Sequence, residues 1–469
     1  MIQNPKSIIP LQDKLSYGLG NFSVGIAMQI IGTYLVFYST AILGLPGKLV
    51  GAAVSLSIIW DALTDPIMGH ISDNTYSKKL GKRHLYLIIG SLGLASSNYT
   101  LWNINPQLDL YVKFFSICIL ILLFKTSMTI YVTPYTALGA EMSKDYNERT
   151  SIQAIKTVFF LLGLAFVSVA GMYFFFQPSA EYPKGQLNPH AYSEMGLFSS
   201  LVILFTVAVC FFFTLKYASF SGTVKQKNST KNKFGIMLQS FGATFSNKDF
   251  RHIAFSYTFN NIASALLSVL GLHVFTYTFL LSSQDIAFII GIQFSASIIA
   301  QPIWSAISKK TDKKPAVIFG LSLSIIGNIV FIILVLFKDH VLGEPFFFIF
   351  YSLITGFGTS VLYSLPLSMV ADTIDVEEYH SGLRTEGIYY GCLTLSYKIA
   401  QAVTILFVGF MLDLVGFDSS VTIQNNSTVS LIGLTLGIGS LLSFLASVLF
   451  IRKYSLSYST IKDIQTEIS

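Results

Sequence analysis

Two aspartates in the stretch IIWDALTDPIMGHISD, residues 58–73, are the side chains whose type and spacing most plainly call for chemistry. Asp61 and Asp65 stand four residues apart. A helix would put both on one face, about 6 Å apart along its axis, with Thr64 beside them. The surrounding run is apolar and long enough to cross a bilayer, where an uncompensated carboxylate costs a few kcal/mol. Two carboxylates this close do not both ionise cheaply without a cation; otherwise one of them holds a proton. The pair therefore suits a coupling site, whose charge changes when Na⁺ or H⁺ binds. The plainer alternative is a pair of acids that only bonds neighbouring helices.

Two lysines share this unusual placement. Lys125, in LLFKTSMTIYV, falls mid-run, with Thr129 one helical turn further on the same face. Lys398, in TLSYKIAQAV, is the second mid-run cation. Two acids and two lysines nearly cancel if they meet in one cavity. Snorkelling to an interface, the alternative for a lysine, is harder from mid-span. Other polar or aromatic side chains near mid-span are candidates for a solute cavity: Tyr34, Tyr363 and Tyr390 for stacking, Gln29, Asn260 and Asn261 for hydrogen bonds. His273 is a lone histidine on an apolar run and reads as a hydrogen-bonded packing residue.

The elements that must position these groups are membrane helices. The chain has 469 residues, of which 52% are hydrophobic and 12% charged. A soluble domain carries about 25% charged residues. Mean hydropathy is +0.62. The net charge of +6 is spread over short loops, which argues against a nucleic-acid face. Cys118, Cys210 and Cys392 lie in apolar runs with no CxxC, so neither a disulfide framework nor a structural metal is expected. No cleavable signal peptide is expected, because the first apolar run is long enough to span.

Apolar runs between polar breaks predict an all-α polytopic membrane protein of twelve transmembrane helices. Their limits fall near 15–43, 49–72, 85–104, 108–138, 153–176 and 196–217, then 252–281, 285–308, 315–337, 346–370, 387–415 and 429–451. Lys and Arg gather in the 73–84 loop, the 218–250 connection and the segment after span 8, whereas the opposite connections offer little beyond Lys48, Lys184 and Lys338. The positive-inside rule puts both termini in the cytoplasm.

The connection FSGTVKQKNSTKNKF is polar and basic, and divides the chain into a bundle at 1–217, a linker at 218–250 and a bundle with a short tail at 251–469. A repeat supports two pseudo-symmetric six-helix bundles: PIMGHISDNT at 66–75 matches PIWSAISKKT at 302–311. On that alignment Asp61 corresponds to Ser297 and Asp65 to Gln301, so packing alone does not require the acids. Parallel repeats of this kind are typical of transporters that rock two halves about a central site.

Charged groups recur where each half turns at the cytoplasmic side, in GAEMSKDYNERTS at 139–151 and ADTIDVEEYHSGLRTEG at 371–387. Asp73, Arg83, Glu141, Arg149, Asp372 and Arg384 are candidates for ion pairs across the mouth of a rocking transporter. The alternative is ordinary solvated loop charge, worth roughly 0–1 kcal/mol per pair.

With these residues in view, the chain resembles a known family. DKLSYGLGNF at 13–22, WDALTDPIMGHISD at 60–73, PYTALGAEMSKDYNERT at 134–150 and MVADTIDVEEYHSGLRTEGIYYG at 369–391 resemble the glycoside–pentoside–hexuronide:cation symporters. These form the melibiose-permease-like branch of the major facilitator superfamily. The resemblance implies a twelve-helix fold with solute at the midplane and uptake coupled to Na⁺, Li⁺ or H⁺. It makes Asp61, Thr64, Asp65 and Thr129 the cation site, and Lys398 the link to the solute cavity. Thr64 is an inexact match, since melibiose permease has Asn there. Where that permease has acids and a tryptophan in its sugar site, this chain has Gly25, Val132 and Thr136, which puts a melibiose-like galactoside in doubt. Tyr363 falls where the family has an aromatic. Lys125 replaces a glycine beside the cation site, so a tethered ammonium there favours coupling to H⁺, with Na⁺ as the alternative.

The expectation is a secondary active symporter in the plasma membrane, a monomer that imports a sugar or glycoside with a cation. Its partners are a small solute, the coupling ion and membrane lipid, with no nucleic acid and no cofactor. An amphiphile or lysolipid carrier of the same fold is the rival transporter, and a non-transporting sugar sensor the rival of another class. No HExxH, GxSxG or GxxxxGK[ST] motif occurs, so an enzyme is not expected.

Overall fold

The computed structural model describes residues 9–218, 242, 244–381, 386–421 and 423–468, apart from 76, 78 and 144. The first bundle comprises α1 (Leu11–Ile42), α2 (Gly47–Asn74), α3 (His84–Leu101), α4 (Leu110–Glu141), α5 (Tyr146–Ala165, carried on to Phe174) and α6 (Pro189–Thr214). The second comprises α7 (Lys248–His273, carried on to Thr278), α8 (Ser283–Thr311), α9 (Lys313–Leu336), α10 (Ile349–Ser360 and Leu365–Ser381, joined by a 3₁₀ turn), α11 (Glu386–Leu414) and α12 (Asn426–Ile451). A short amphipathic helix, α13 (Tyr458–Ile468), closes the described chain against the second segment of α10.

Among the described residues, eleven helices are long and apolar enough to cross a membrane by length and composition. The remaining member of the twelve is α3, whose asparagine is bonded inside its own bundle. The Asn98 amide donates to Ser199 and Ser200 of α6 at 2.8 and 2.9 Å, and Asn98 Oδ1 accepts from the Trp102 indole at 3.0 Å. Three boundaries differ from the sequence expectation by seven residues or more: α5 starts at Tyr146 rather than 153, α10 runs on to Ser381 rather than 370, and α6 also starts early. Helix α6 starts at Pro189, seven residues before the expected 196, because Asn188 caps it through His190 N–H and proline suits the first helical position. Helix α10 is interrupted at Val361–Tyr363, where apolarity alone gave no sign of a break.

The pairings of the first bundle recur in the second. Contacts α1–α5, α1–α6, α2–α4, α3–α4 and α3–α6 have the counterparts α7–α11, α7–α12, α8–α10, α9–α10 and α9–α12. The bundles meet along α2–α11, α1–α7 and α5–α8.

Charged groups at the turn after the second helix of each half also correspond. Arg83 donates to Asp73 at 2.6 Å, to Glu141 at 2.8 and 2.9 Å and to Ser72 at 2.7 Å. In the second bundle, Lys313 holds Asp372 at 2.7 Å from both oxygens. Each of these pairs lies within one bundle. The cation leaves a short turn beside its own bundle, and the nearest carboxylates belong to that bundle. Arg149 donates instead to the carbonyls of Ser143 and Ala140 at 2.7 and 3.3 Å, closing the turn between α4 and α5. Arg384 lies outside the described residues.

Close backbone approach sets the seam between α2 and α11. A Cβ on Gly409 would lie 2.3 Å from the Gly47 carbonyl oxygen, and one on Gly47 would lie 2.4 Å from the Gly409 carbonyl oxygen. Small residues let apolar helices pack this closely where no hydrophobic effect drives them together. Further along the seam Ser55 donates to the Ala402 carbonyl at 2.6 Å. Gly391, in the same α11, has open space around it. Gly409→Ala is therefore expected to destabilise by about 1–3 kcal/mol through overpacking. Gly391→Ala should be neutral or slightly stabilising, by up to about 1 kcal/mol. Thermal unfolding of the two purified variants checks this, and equal melting temperatures would refute it.

Candidate functional site

Below Ser55 on the same seam lie the two aspartates of α2. Each turn of a helix brings position i+4 back to one face, and here that face meets α4 of its own bundle and α11 of the other. Lys398 Nζ lies 2.9 Å from Asp61 Oδ2 and 2.7 Å from Asp65 Oδ2. Thr129 of α4 is 3.1 Å from Asp61 Oδ1 and 2.9 Å from Asp65 Oδ1. A single hydroxyl proton serves one of those oxygens at a time. Lys125 Nζ stands 3.9 Å from Asp61 Oδ2, within ion-pair range and beyond hydrogen-bond range. Thr64 donates to the Trp60 carbonyl at 3.0 Å and lies 3.5 Å from Thr129, so it borders the cluster rather than touching the carboxylates. Trp60 in turn donates to Thr126 at 2.9 Å, fixing α2 against α4.

Two negative and two positive side chains thus form one neutral cluster. The side chains of Asp61, Lys125 and Lys398 are 14%, 14% and 12% exposed, whereas that of Asp65 is 39% exposed. Charges this poorly hydrated hold together mainly through each other, and removing one partner of such a pair typically costs about 3–5 kcal/mol. Only Lys398 comes from the second bundle, so the ion pairs also fasten the two halves. At the aligned positions of α8 there is no charge. Ser297 donates to the Gly356 carbonyl at 2.8 Å and Gln301 to the Ser360 carbonyl at 2.8 Å, both on α10. Neutral groups are enough to bond the second helix of a half to its fourth.

Next to the cluster a cavity of about 420 Å³ opens between the bundles, lined in part by Asp61, Lys125 and Lys398. Such a volume lies within the range of small-molecule pockets, roughly 300–1,000 Å³. Tyr363 and Asn261 line it as well, and so do Gln29 and Asn260. Two tyrosines expected there are elsewhere. Tyr34 is fully buried inside the first bundle, where its hydroxyl donates to the Val167 carbonyl at 3.0 Å and its ring stacks on Phe176. Tyr390 donates to the Leu367 carbonyl at 3.1 Å, tying α11 to α10 away from the cavity wall. Tyr34 lies at cavity depth but on another face of α1, which an apolar run without a clear polar face does not encode, whereas Tyr390 lies about two turns along α11 from Tyr397, the nearest lining residue of that helix.

The wall also holds Tyr257, Gln293, Asn328, Tyr397 and Gln401, which the sequence reading passed over. Each is a single polar residue in an apolar span, a signal present in the sequence but lacking any spacing pattern. Gly25, where the family resemblance puts an acid, is occupied by backbone: a Cβ there would lie 2.4 Å from the Phe160 carbonyl oxygen. Helices α1 and α5 cross at that point, so no carboxylate fits. His273 bonds Thr40 of α1 through Nε2 at 2.8 Å and faces the Val269 carbonyl through Nδ1 at 3.2 Å, within the contact of α1 with α7.

The cluster makes a direct prediction. Lys398→Ala leaves two facing carboxylates short of a cation and should lower the melting temperature of the purified protein by several degrees, whereas Lys398→Arg should retain most of the stability. If alanine and arginine prove equally mild, the ion pairs do not hold the halves together.

Comparison with known proteins accords with this architecture. The profile of the family described as MFS/sugar transport protein matches residues 16–458. A symporter of uncharacterised function from Bacillus subtilis (strain 168), YjmB, is 27% identical, with 87% of this chain and 84% of that protein covered. An isoprimeverose transporter from Lactiplantibacillus pentosus is 23% identical over 88% of this chain and 82% of its own length. Among solved structures, that of a D-xylose-proton symporter superposes with a TM-score of 0.66 at 14% identity, covering 96% of this chain and 99% of that one. Helices, seam and family profile lead to one assignment: the chain belongs to the MFS/sugar transport protein family.

Proposed function

We propose that this protein is a proton-coupled symporter that imports a neutral sugar or glycoside across the plasma membrane, as a monomer whose halves, 1–217 and 251–469, rock about the central cavity. The observation that carries the coupling ion is the neutral cluster: Lys398 and Lys125 already supply two positive charges to Asp61 and Asp65. A sodium ion or a proton would each add one positive charge to that set, but only sodium needs several oxygen ligands in place of its hydration shell. It would also compete for carboxylate oxygens that Lys398 holds at 2.7 and 2.9 Å. A proton needs no coordination shell.

The mechanism follows from the geometry. Asp65 is the more exposed carboxylate, so it is the one that solvent reaches first. A proton there withdraws one of the two anions from Lys398, and the tie between α2 and α11 weakens. Release of the proton restores it. Solute in the adjoining cavity and proton on the aspartates thereby act on the same seam. The bonds joining the halves from Gly47–Asp413 through Ser55–Ala402 to Lys398 run along the side away from the termini. With both termini cytoplasmic, as the positive-inside rule expects, this arrangement corresponds to a protein sealed outside and accessible from within. The isoprimeverose transporter among the relatives supports a sugar-class solute.

Uptake by the full-length protein in proteoliposomes tests the coupling. An inward pH gradient should accelerate sugar uptake, which should rise as external pH falls. Adding Na⁺ at fixed pH should leave it unchanged, and strong sodium stimulation in the wild type would overturn the proposal. Lys125→Gly removes the tethered ammonium and is expected to create or enhance dependence on Na⁺; a variant as indifferent to sodium as the wild type would remove Lys125 from the coupling site.

A further inference from the structure

The two halves contribute unlike walls to the cavity, and the difference bears on what the solute is. From the first bundle come mainly apolar side chains, among them Met28, Ile31, Val54, Ile58, Met128 and Phe160. Of its polar contributors, Gln29 donates to Thr33 and Ser168 at 2.8 and 2.6 Å, and Asp61 and Lys125 belong to the ion cluster. The second bundle supplies amides: Asn260 and Asn261 from α7, Gln293 from α8, Asn328 from α9 and Gln401 from α11.

One of these amides is conspicuously unsatisfied. Asn260 is only 7% exposed, and its Oδ1 has no hydrogen-bond partner among the described residues. A buried acceptor without a donor is unfavourable, and protein interiors seldom leave one without a reason. Gln293 is held only weakly, donating to Thr355 at 3.5 Å. Both residues line the same cavity; the Asn260 Oδ1 is itself buried, so its amide must rotate to meet a ligand hydroxyl, whereas Gln293 need only give up its long bond to Thr355.

We infer that the solute's hydroxyl groups are recognised by the amide wall of the second bundle, centred on Asn260 and Gln293, and that the ligand is a neutral polyhydroxylated molecule rather than an acidic one. The inference rests on the sugar-symporter reading and specifies its substrate class and its recognising residues. A sugar ring presents hydroxyls at its rim and C–H groups on its faces. The amides match the first, and the apolar wall around Phe160 matches the second. While Asp61 and Asp65 are both ionised, a carboxylate or sulfonate finds no spare cation, because the lysines lining the cavity are engaged with them. Amides serve hydroxyls well because each carries both donors and acceptors and keeps its charge state at any pH. The acidic position lost at Gly25 is consistent with this: recognition has no room on α1 and lies across the cavity.

The test is uptake by the full chain in proteoliposomes with an inward pH gradient, using D-xylose, D-glucose, methyl β-D-glucoside and D-glucuronate as probes. Neutral probes should enter and glucuronate should not. With the best neutral probe, Asn260→Ala and Gln293→Ala should each raise KM by about tenfold, the effect of losing one well-placed hydrogen bond, with the maximal rate largely retained. Asn260→Ser, which keeps a small polar group, should recover part of the loss. Should Asn260→Ala fail to fold, Gln293→Ala carries the comparison. Vigorous uptake with unchanged KM in the variants would overturn the amide wall and leave the symporter reading standing. Preferred uptake of glucuronate would overturn the neutral class alone. Uptake of no probe at all would overturn both.

Discussion

The structure depends on one arrangement: a lysine from the second bundle seated between two carboxylates of the first, at 2.7 and 2.9 Å. Charges that bury themselves in a membrane must be matched at once, and matching them across a seam makes the seam part of the match. The alternative, one acid and one base on the same bundle, would be equally neutral but would say nothing about how the halves sit. Here neutrality and docking are the same condition. That is why groups so costly in hydrocarbon are placed at the contact of α2 with α11, a seam that Gly47 and Gly409 draw close at its far end.

Pseudo-symmetry gives this arrangement an internal control. The helix pairings of the two bundles correspond, and so do Arg83 with Glu141 and Lys313 with Asp372 at their turns. Where the repeat departs, function has the simpler explanation. Ser297 and Gln301 bond their neighbouring helix through its backbone carbonyls, which is all that packing asks of a polar residue there. Asp61 and Asp65 instead face Thr129 and Lys398. The cavity is asymmetric in the complementary sense, apolar toward the first bundle and amide-rich toward the second. Ion chemistry is thus concentrated on one half and hydroxyl chemistry on the other, joined by a single lysine.

How far each feature could be read in advance follows from how local its cause is. Membrane helices announce themselves because apolarity is summed over some 20 consecutive residues, and eleven of them meet that description by composition alone. Helix α3 shows the limit: Asn98 lowers its apolarity, and only the bonds of that amide to α6 explain why a helix in the bundle tolerates it. Which groups the charged turns bond is legible only in the structure, for a related reason. Acids and arginines at loop ends are visible as a list, but whether Arg83 reaches its own bundle or the other depends on where the turn points. Tyr34 turns away from the cavity, because rotation about an apolar helix leaves little trace in its sequence, and Tyr390 lies about two turns short of it along α11.

By itself the sequence determined that this is a membrane protein of two repeated halves, and that its second helix carries an acid pair which packing does not require. Those conclusions rest on composition, periodicity and the price of charge in lipid, all of which act on residues near one another in the chain. Only the tertiary structure decided that Lys398, more than 300 residues away, completes that pair, that Lys125 stands 3.9 Å from it, and that Asn260 and Gln293 share one cavity. It also decided that Gly25 is held against α5 and has no space for a side chain. Distances between helices are set by how their surfaces pack, and no stretch of sequence contains both surfaces.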